Sequence, residues 1–145
     1  MGNVIKILCQ HVVDKNIHSN NSETIKERTR KLWSKTEEII QLADNPWMNG
    51  LGGSLSGIKL FESMIIPALL HNCESWIGLN DQHIKELQQF QEKFIRRLFR
   101  LPLSTPKAIL AYDTKMQPMK WRIAYRKLNF VRKMIEKPDK SITKR

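Results

Sequence analysis

The chain is short of the groups from which most disulfide scaffolds, membrane spans and active sites are built. It has two cysteines in 145 residues, Cys9 and Cys73, which make neither a framework nor a CxxC pair and point to a reducing, intracellular setting, nuclear or cytoplasmic. A single Cys9–Cys73 disulfide is left open. Long apolar runs are missing as well. The strongest, Ile58–Leu70, contains Lys59 and Glu62 and falls short of the roughly 20 residues a bilayer requires. It reads as a buried helix in a soluble chain without a transmembrane segment. Val4–Cys9 is too short for a signal peptide and is broken by Lys6.

Acidic residues are scarce in the second half. Between Lys93 and Lys133 only Asp113 is acidic. From Lys93 to Arg145, 16 Lys and Arg stand against three acids, a net of +13. Residues 1–92 hold nine against 11, a net of −2, and the two parts sum to the chain's +11. Charge gathered in one half makes a directed field, and the commonest partner for such a field is a phosphate backbone.

Constellations that carry chemistry are lacking too. His11, His18, His71 and His83 never pair at metal-ligand spacing, and Cys9-x-His11 and His71-x-Cys73 are each half a site. Asp14, Asp44, Asp81, Asp113 and Asp139 are scattered, so the adjacent aspartates of a two-metal polymerase site are absent. Gly50, Gly52 and Gly53 are followed by no P-loop lysine, and no GxSxG context frames a serine nucleophile. The expectation is no catalytic residue, no metal and no cofactor.

What the chain does have is helical periodicity. Val4–Cys9, followed by Gln10-His11-Val12-Val13, is β-branched and reads as one strand or a broken hairpin, and a lone strand has no partner here; residues 16–22 read as a polar loop rich in capping groups. A helix follows with Ile25, Leu32, Ile39 and Ala43 on one stripe, beside Trp33 and Ile40, and Asn45-Pro46 stops it. Trp47 to Gly53 reads as a loop. A second helix is predicted over about Ser54–Trp76 with a kink or break near Pro67. A third is predicted over about Asp81–Leu101, capped by Asn80 or Asp81, with Ile84, Leu87, Phe94, Ile95, Leu98 and Leu101 as its apolar side. Pro106 starts a short helix, and a last helix runs from Pro118 to about Glu136, ahead of a basic tail, 137–145.

The last two long helices carry the cations in strips. At 100° per residue, Lys93, Arg96, Arg97 and Arg100 share an arc of roughly 100° opposite the apolar side. In the final helix Trp121, Ala124, Leu128, Val131 and Ile135 make one apolar seam, and Met119, Ile123, Phe130 and Met134 a second. Between them lie Arg122, Arg126, Asn129 and Lys133. Two apolar seams predict a helix packed between neighbours with its basic strip exposed. Such strips suit phosphate contact rather than base reading. Trp33, Trp76 and Trp121 are expected in packing roles, and Trp47 is open.

A resemblance enters on the middle of the chain. Gly57-Ile58-Lys59-Leu60-Phe61-Glu62, then Ile66-Pro67-Ala68-Leu69-Leu70-His71-Asn72-Cys73-Glu74-Ser75-Trp76, resembles the region after the catalytic palm in non-LTR (LINE-like) retrotransposon reverse transcriptases. The likeness continues in the Leu87–Arg97 helix, the Pro102–Pro106 turn and the Pro118–Ile123 helix with Arg126-Lys127-Leu128, and upstream in Thr24-Ile25-Lys26-Glu27-Arg28. It covers about residues 4–136 and departs at Ile7-Leu8-Cys9, where the family has Tyr-Leu-Gly. The resemblance implies a thumb with adjoining helices that holds the template–primer duplex, beside a palm and fingers that carry the catalytic aspartates. No such aspartate motif stands in this chain, so a grip and not an enzyme is implied.

The expectation is therefore a mainly α chain of four or five packed helices with a short unpaired N-terminal strand, a fragment of a larger polymerase architecture. Residues 1–18 would be the palm-to-thumb remnant, 19–136 the thumb-like domain. Lys93, Arg96, Arg97, Arg100, Arg122, Arg126 and Lys133 would bind an RNA–DNA hybrid or other nucleic acid. The alternatives are a helical module docking an acidic protein or an anionic membrane, and a degenerate retroelement fragment without activity.

Overall fold

Ile25, Ile39, Ile40 and Ala43 fall on one stripe, and that stripe is the buried face of the first helix. The computed structural model describes residues 2–45 and 53–137, residues 2–20 through their backbone course alone. Helix α1 spans Gly2–Ala43. This corrects two expectations, because the strand at Val4–Cys9 and the polar loop over 16–22 both lie within it. A lone strand would leave a row of backbone donors and acceptors unpaired, whereas a helix satisfies them within the segment. Asn21, expected in that loop, is buried and donates through Nδ2 to the Ile77 carbonyl at 2.7 Å. α1 ends just ahead of Asn45-Pro46. Pro46, the expected loop up to Gly52 and the tail from Pro138 lie outside the described residues.

The next segment breaks where proline demands it. Helix α2, Gly53–Leu60, widens into a π-helical turn, Phe61–Ile65, and resumes as the short α3, Ile66–Leu69. The Ile66 N–H bonds the Phe61 carbonyl, five residues back. Pro67 has no N–H, and its ring would press on the carbonyl four residues before it, so the widened turn makes room. The helix expected to continue to Trp76 stops at Leu69 instead. Leu70 leaves helical geometry, Asn72 takes a left-handed φ of 59°, and Cys73–Ser75 form one 3₁₀ turn. Asparagine is among the few side chains that tolerate this conformation. Arg28 of α1 holds the exposed end, donating to the carbonyls of Leu69 and His71.

Helix α4, Asp81–Leu98, opens on a capping box, with the His83 N–H bonded to Asn80 Oδ1 at 2.9 Å. It ends three residues before the expected Leu101. There Arg100 has a φ of 53°, the Leu101 N–H bonds the Arg96 carbonyl at 2.9 Å and the Arg100 N–H bonds the Arg97 carbonyl at 3.3 Å. These two bonds make a Schellman motif, which usually places glycine at the left-handed position. Helices α5, Lys107–Thr114, and α6, Met119–Glu136, complete the described elements. Among the described residues the fold is mainly α and has no strand.

One core joins all of these elements. Phe61 of the π turn stacks on Phe94 of α4 with ring centroids 3.9 Å apart, and Trp33 of α1 meets Phe90 edge-on at 5.6 Å. At Gly57 the helices pack closely. A Cβ there would meet Leu98 Cδ1 at 3.0 Å and Ala43 Cβ at 3.2 Å, so glycine permits the approach of α1, α2 and α4.

α6 departs from its expected setting. Only Met119 and Ile123 are buried, both from the second seam, while Phe130 of that seam is half exposed. The first seam faces outward, and with it Trp121, which was expected in a packing role. The reason is a shortage of neighbours. α6 packs on α4 and on the Cys73–Ser75 turn, and no further described helix covers its other side.

Candidate nucleic-acid interface

α1 and α4 lie side by side, and the groove between them gathers cations from both. Lys93, Arg96, Arg97 and Arg100 line one stretch with Ile40, Asp44, Leu101 and Leu103. Lys93 is shared with the adjoining stretch, which is lined by Lys26, Arg30 and Trp33 of α1 and by Glu86 and Phe90 of α4. Six cations thus border a continuous groove, against Asp44 and Glu86, with Glu37 beside Arg97. Glu92 lies beneath them against Arg96. At the N-terminal end Glu23 and Glu27 border the surface and weaken the field; Lys31 pairs with Glu27 at 2.6 Å and lowers its pKa.

The seven residues expected to bind do not behave alike. The Lys93 ammonium sits 4.0 Å from the centroid of the Trp33 ring, a contact worth about 0.5–1 kcal/mol at an exposed site. Arg97 reaches Glu37 at 3.9 Å and Arg100 reaches Asp44 at 3.3 Å, yet their side chains stay 65% and 78% exposed. Such exposed pairs contribute about 0–1 kcal/mol, so an incoming phosphate competes with a weak partner.

Arg96 is different. Its guanidinium donates to the Thr105 carbonyl at 3.2 Å and lies 3.8 Å from Glu92, a buried carboxylate that also takes Lys107 at 3.3 Å. Arg96 therefore anchors the 102–107 turn from the floor of the groove.

Arg122, Arg126 and Lys133 do not join that groove, which corrects the picture of two aligned strips. Arg122 donates to Glu62 at 2.6 Å and to the Gln117 carbonyl at 3.0 Å, with a side chain only 15% exposed. It ties α6 to the π turn. Arg126 is half-buried near Cys73, and Lys133 stands exposed on the distal half of α6. Carboxylates brought from earlier in the chain thus neutralise part of the C-terminal excess.

Lys26 and Arg30 are the residues that sequence reasoning missed. They stand at i and i+4 of α1, with Trp33 at i+7, a spacing that sets all three on one face. That regularity was readable, but the near-neutral balance of residues 1–92 concealed it.

The Cys73 thiol is buried and free. Burial pushes its pKa up, helped by Glu74, while Arg126 and Lys127 pull the other way. Among the described residues no group of three His, Cys, Asp or Glu gathers as metal ligands, and no helix is long and apolar enough to cross a membrane. No protein-family model, no curated protein and no solved structure matches this chain.

Proposed function

We propose that this chain grips the sugar–phosphate backbone of an RNA–DNA hybrid or similar duplex along the α1–α4 groove. The observation that carries the reading is the convergence of Lys26, Arg30, Lys93, Arg97 and Arg100 on one open surface, with Arg96 at its floor. Phosphate contacts of this kind set affinity without reading sequence. Lys26, Arg30, Arg97 and Arg100 are the contacting groups in this reading, Lys93 is steered by Trp33, and Arg96 holds the groove's shape.

The resemblance to the post-palm region of non-LTR retrotransposon reverse transcriptases agrees with this role. In such an enzyme the chain would serve as the thumb, and the palm and fingers would be its partners. The proposal assigns binding to this chain and no catalytic step.

Fluorescence anisotropy with a labelled RNA–DNA hybrid at about 50 mM salt tests it. Saturable binding, weakened by charge removal in the groove and unchanged by Lys133→Ala, is the expected result. Undetectable binding at that salt would reject the grip.

A further inference from the structure

The outward face of α6 carries a row of large apolar side chains that nothing in the described structure covers. Trp121, Tyr125, Leu128, Val131 and Ile135 are 65%, 67%, 70%, 51% and 68% exposed. All five are more than half exposed and share one face, so they form a contiguous apolar strip, the kind of surface that marks an interaction site. From Leu128 to Glu136 no residue of the helix is buried. Scattered surface leucines require no explanation, but a continuous strip of this size does.

The spacing says what shape of partner fits. Trp121, Ala124, Leu128, Val131 and Ile135 follow one another at three, four, three and four residues, the a and d positions of successive heptads. A repeat of 3.5 keeps a narrow seam turned toward a second helix. Arg132 flanks the seam and pairs with Glu136 at 3.7 Å, which bounds the apolar strip on that side.

The borders say what charge that partner bears. Lys120, Lys127 and Met134 occupy the g positions, and Tyr125 and Arg132 the e positions; Lys127 also donates to the Trp76 carbonyl at 2.9 Å. A second copy of this chain would set lysine against arginine across the seam, which like-charge repulsion disfavours. Acidic flanks would satisfy the same positions.

We propose that the exposed seam of α6 docks an amphipathic helix of another protein, apolar at its a and d positions and rich in Glu or Asp at e and g. Trp121 and Tyr125 are the anchors, as large, rigid side chains are in most interface centres. None of the seam residues lines the α1–α4 groove, so this docking stands apart from the nucleic-acid reading.

A synthetic three-heptad peptide with Leu at a and d and Glu at e and g is the probe, labelled and titrated with the full chain. Expected are saturable binding, a loss of at least about tenfold in Leu128→Asp, and no binding of the same peptide with Lys at e and g. Leu128 is exposed, so Leu128→Asp should melt as the parent does, and Ile135→Asp serves as a second variant. The proposal is overturned if the acidic peptide does not bind, or if both variants bind it as the parent does. Vesicles of phosphatidylcholine and phosphatidylserine, captured by the parent and not by Leu128→Asp while the peptide is ignored, would reassign the seam to a membrane surface. A concentration-dependent dimer in sedimentation that Leu128→Asp abolishes would reassign it to a second copy.

Discussion

The Lys93 ammonium lies 4.0 Å from the centroid of the Trp33 ring, so the two helices that frame the groove meet in a cation–π contact at its centre. The ring holds the ammonium at the junction of the two groove stretches without neutralising it. Lys93→Ala should therefore cost about 0.5–1 kcal/mol of stability while lowering affinity for a hybrid duplex several-fold. Urea denaturation and anisotropy on the same preparation check both halves.

Arg122 and the groove arginines should separate in a stability assay. Arg122 is mostly buried and bonds both Glu62 and the Gln117 carbonyl, so Arg122→Ala strands a half-exposed carboxylate and loosens α6. A loss of about 1–3 kcal/mol is expected, below the figure for a fully buried pair. Arg97→Ala and Arg100→Ala should each stay within about 1 kcal/mol. Denaturant midpoints of the three variants provide the comparison.

Gly57 should tolerate little. With Leu98 Cδ1 and Ala43 Cβ already within 3.2 Å of an added Cβ, a branched side chain must push α1 or α4 away. Gly57→Val should destabilise by about 1–3 kcal/mol through overpacking, read as a lowered thermal midpoint.

Cys73 should be slow to alkylate. Its buried thiol has a raised pKa, with desolvation as the main cause, and the thiolate is the reactive form. In a Cys9→Ser background, iodoacetamide at about pH 8.5 should label Cys73 far more slowly in the native chain than in urea. Mass spectrometry of timed samples measures it.

The helices were legible because their periodicity is strong. Leu87, Phe94, Ile95 and Leu98 are buried as their spacing requires, and Pro67 marks the break even though the π turn that accommodates it leaves no trace in the residues. The N-terminal reading failed because Val4–Cys9 has strong β propensity, a local signal that the continuation of α1 overrides. Arg122 looked free because its partner Glu62 lies 60 residues away in the chain. The seam of α6 looked buried because periodicity reports which side is apolar, not whether a neighbour is there to cover it. Of the candidate site, Lys93, Arg96 and Arg97 were visible as one arc of α4, and Arg100 joins them from the left-handed turn beyond its end; the α1 contribution was hidden in a segment whose acids cancel its bases.

The most direct test of the proposed grip is the salt dependence of hybrid binding in the parent and in a Lys26→Ala, Arg30→Ala, Arg97→Ala, Arg100→Ala variant. Each phosphate contact contributes roughly 0.7–0.9 to the slope of log affinity against log salt. Removing four contacts should make the slope shallower by about 3, with the helix content preserved. A variant slope equal to the parent's would contradict the groove as the binding surface.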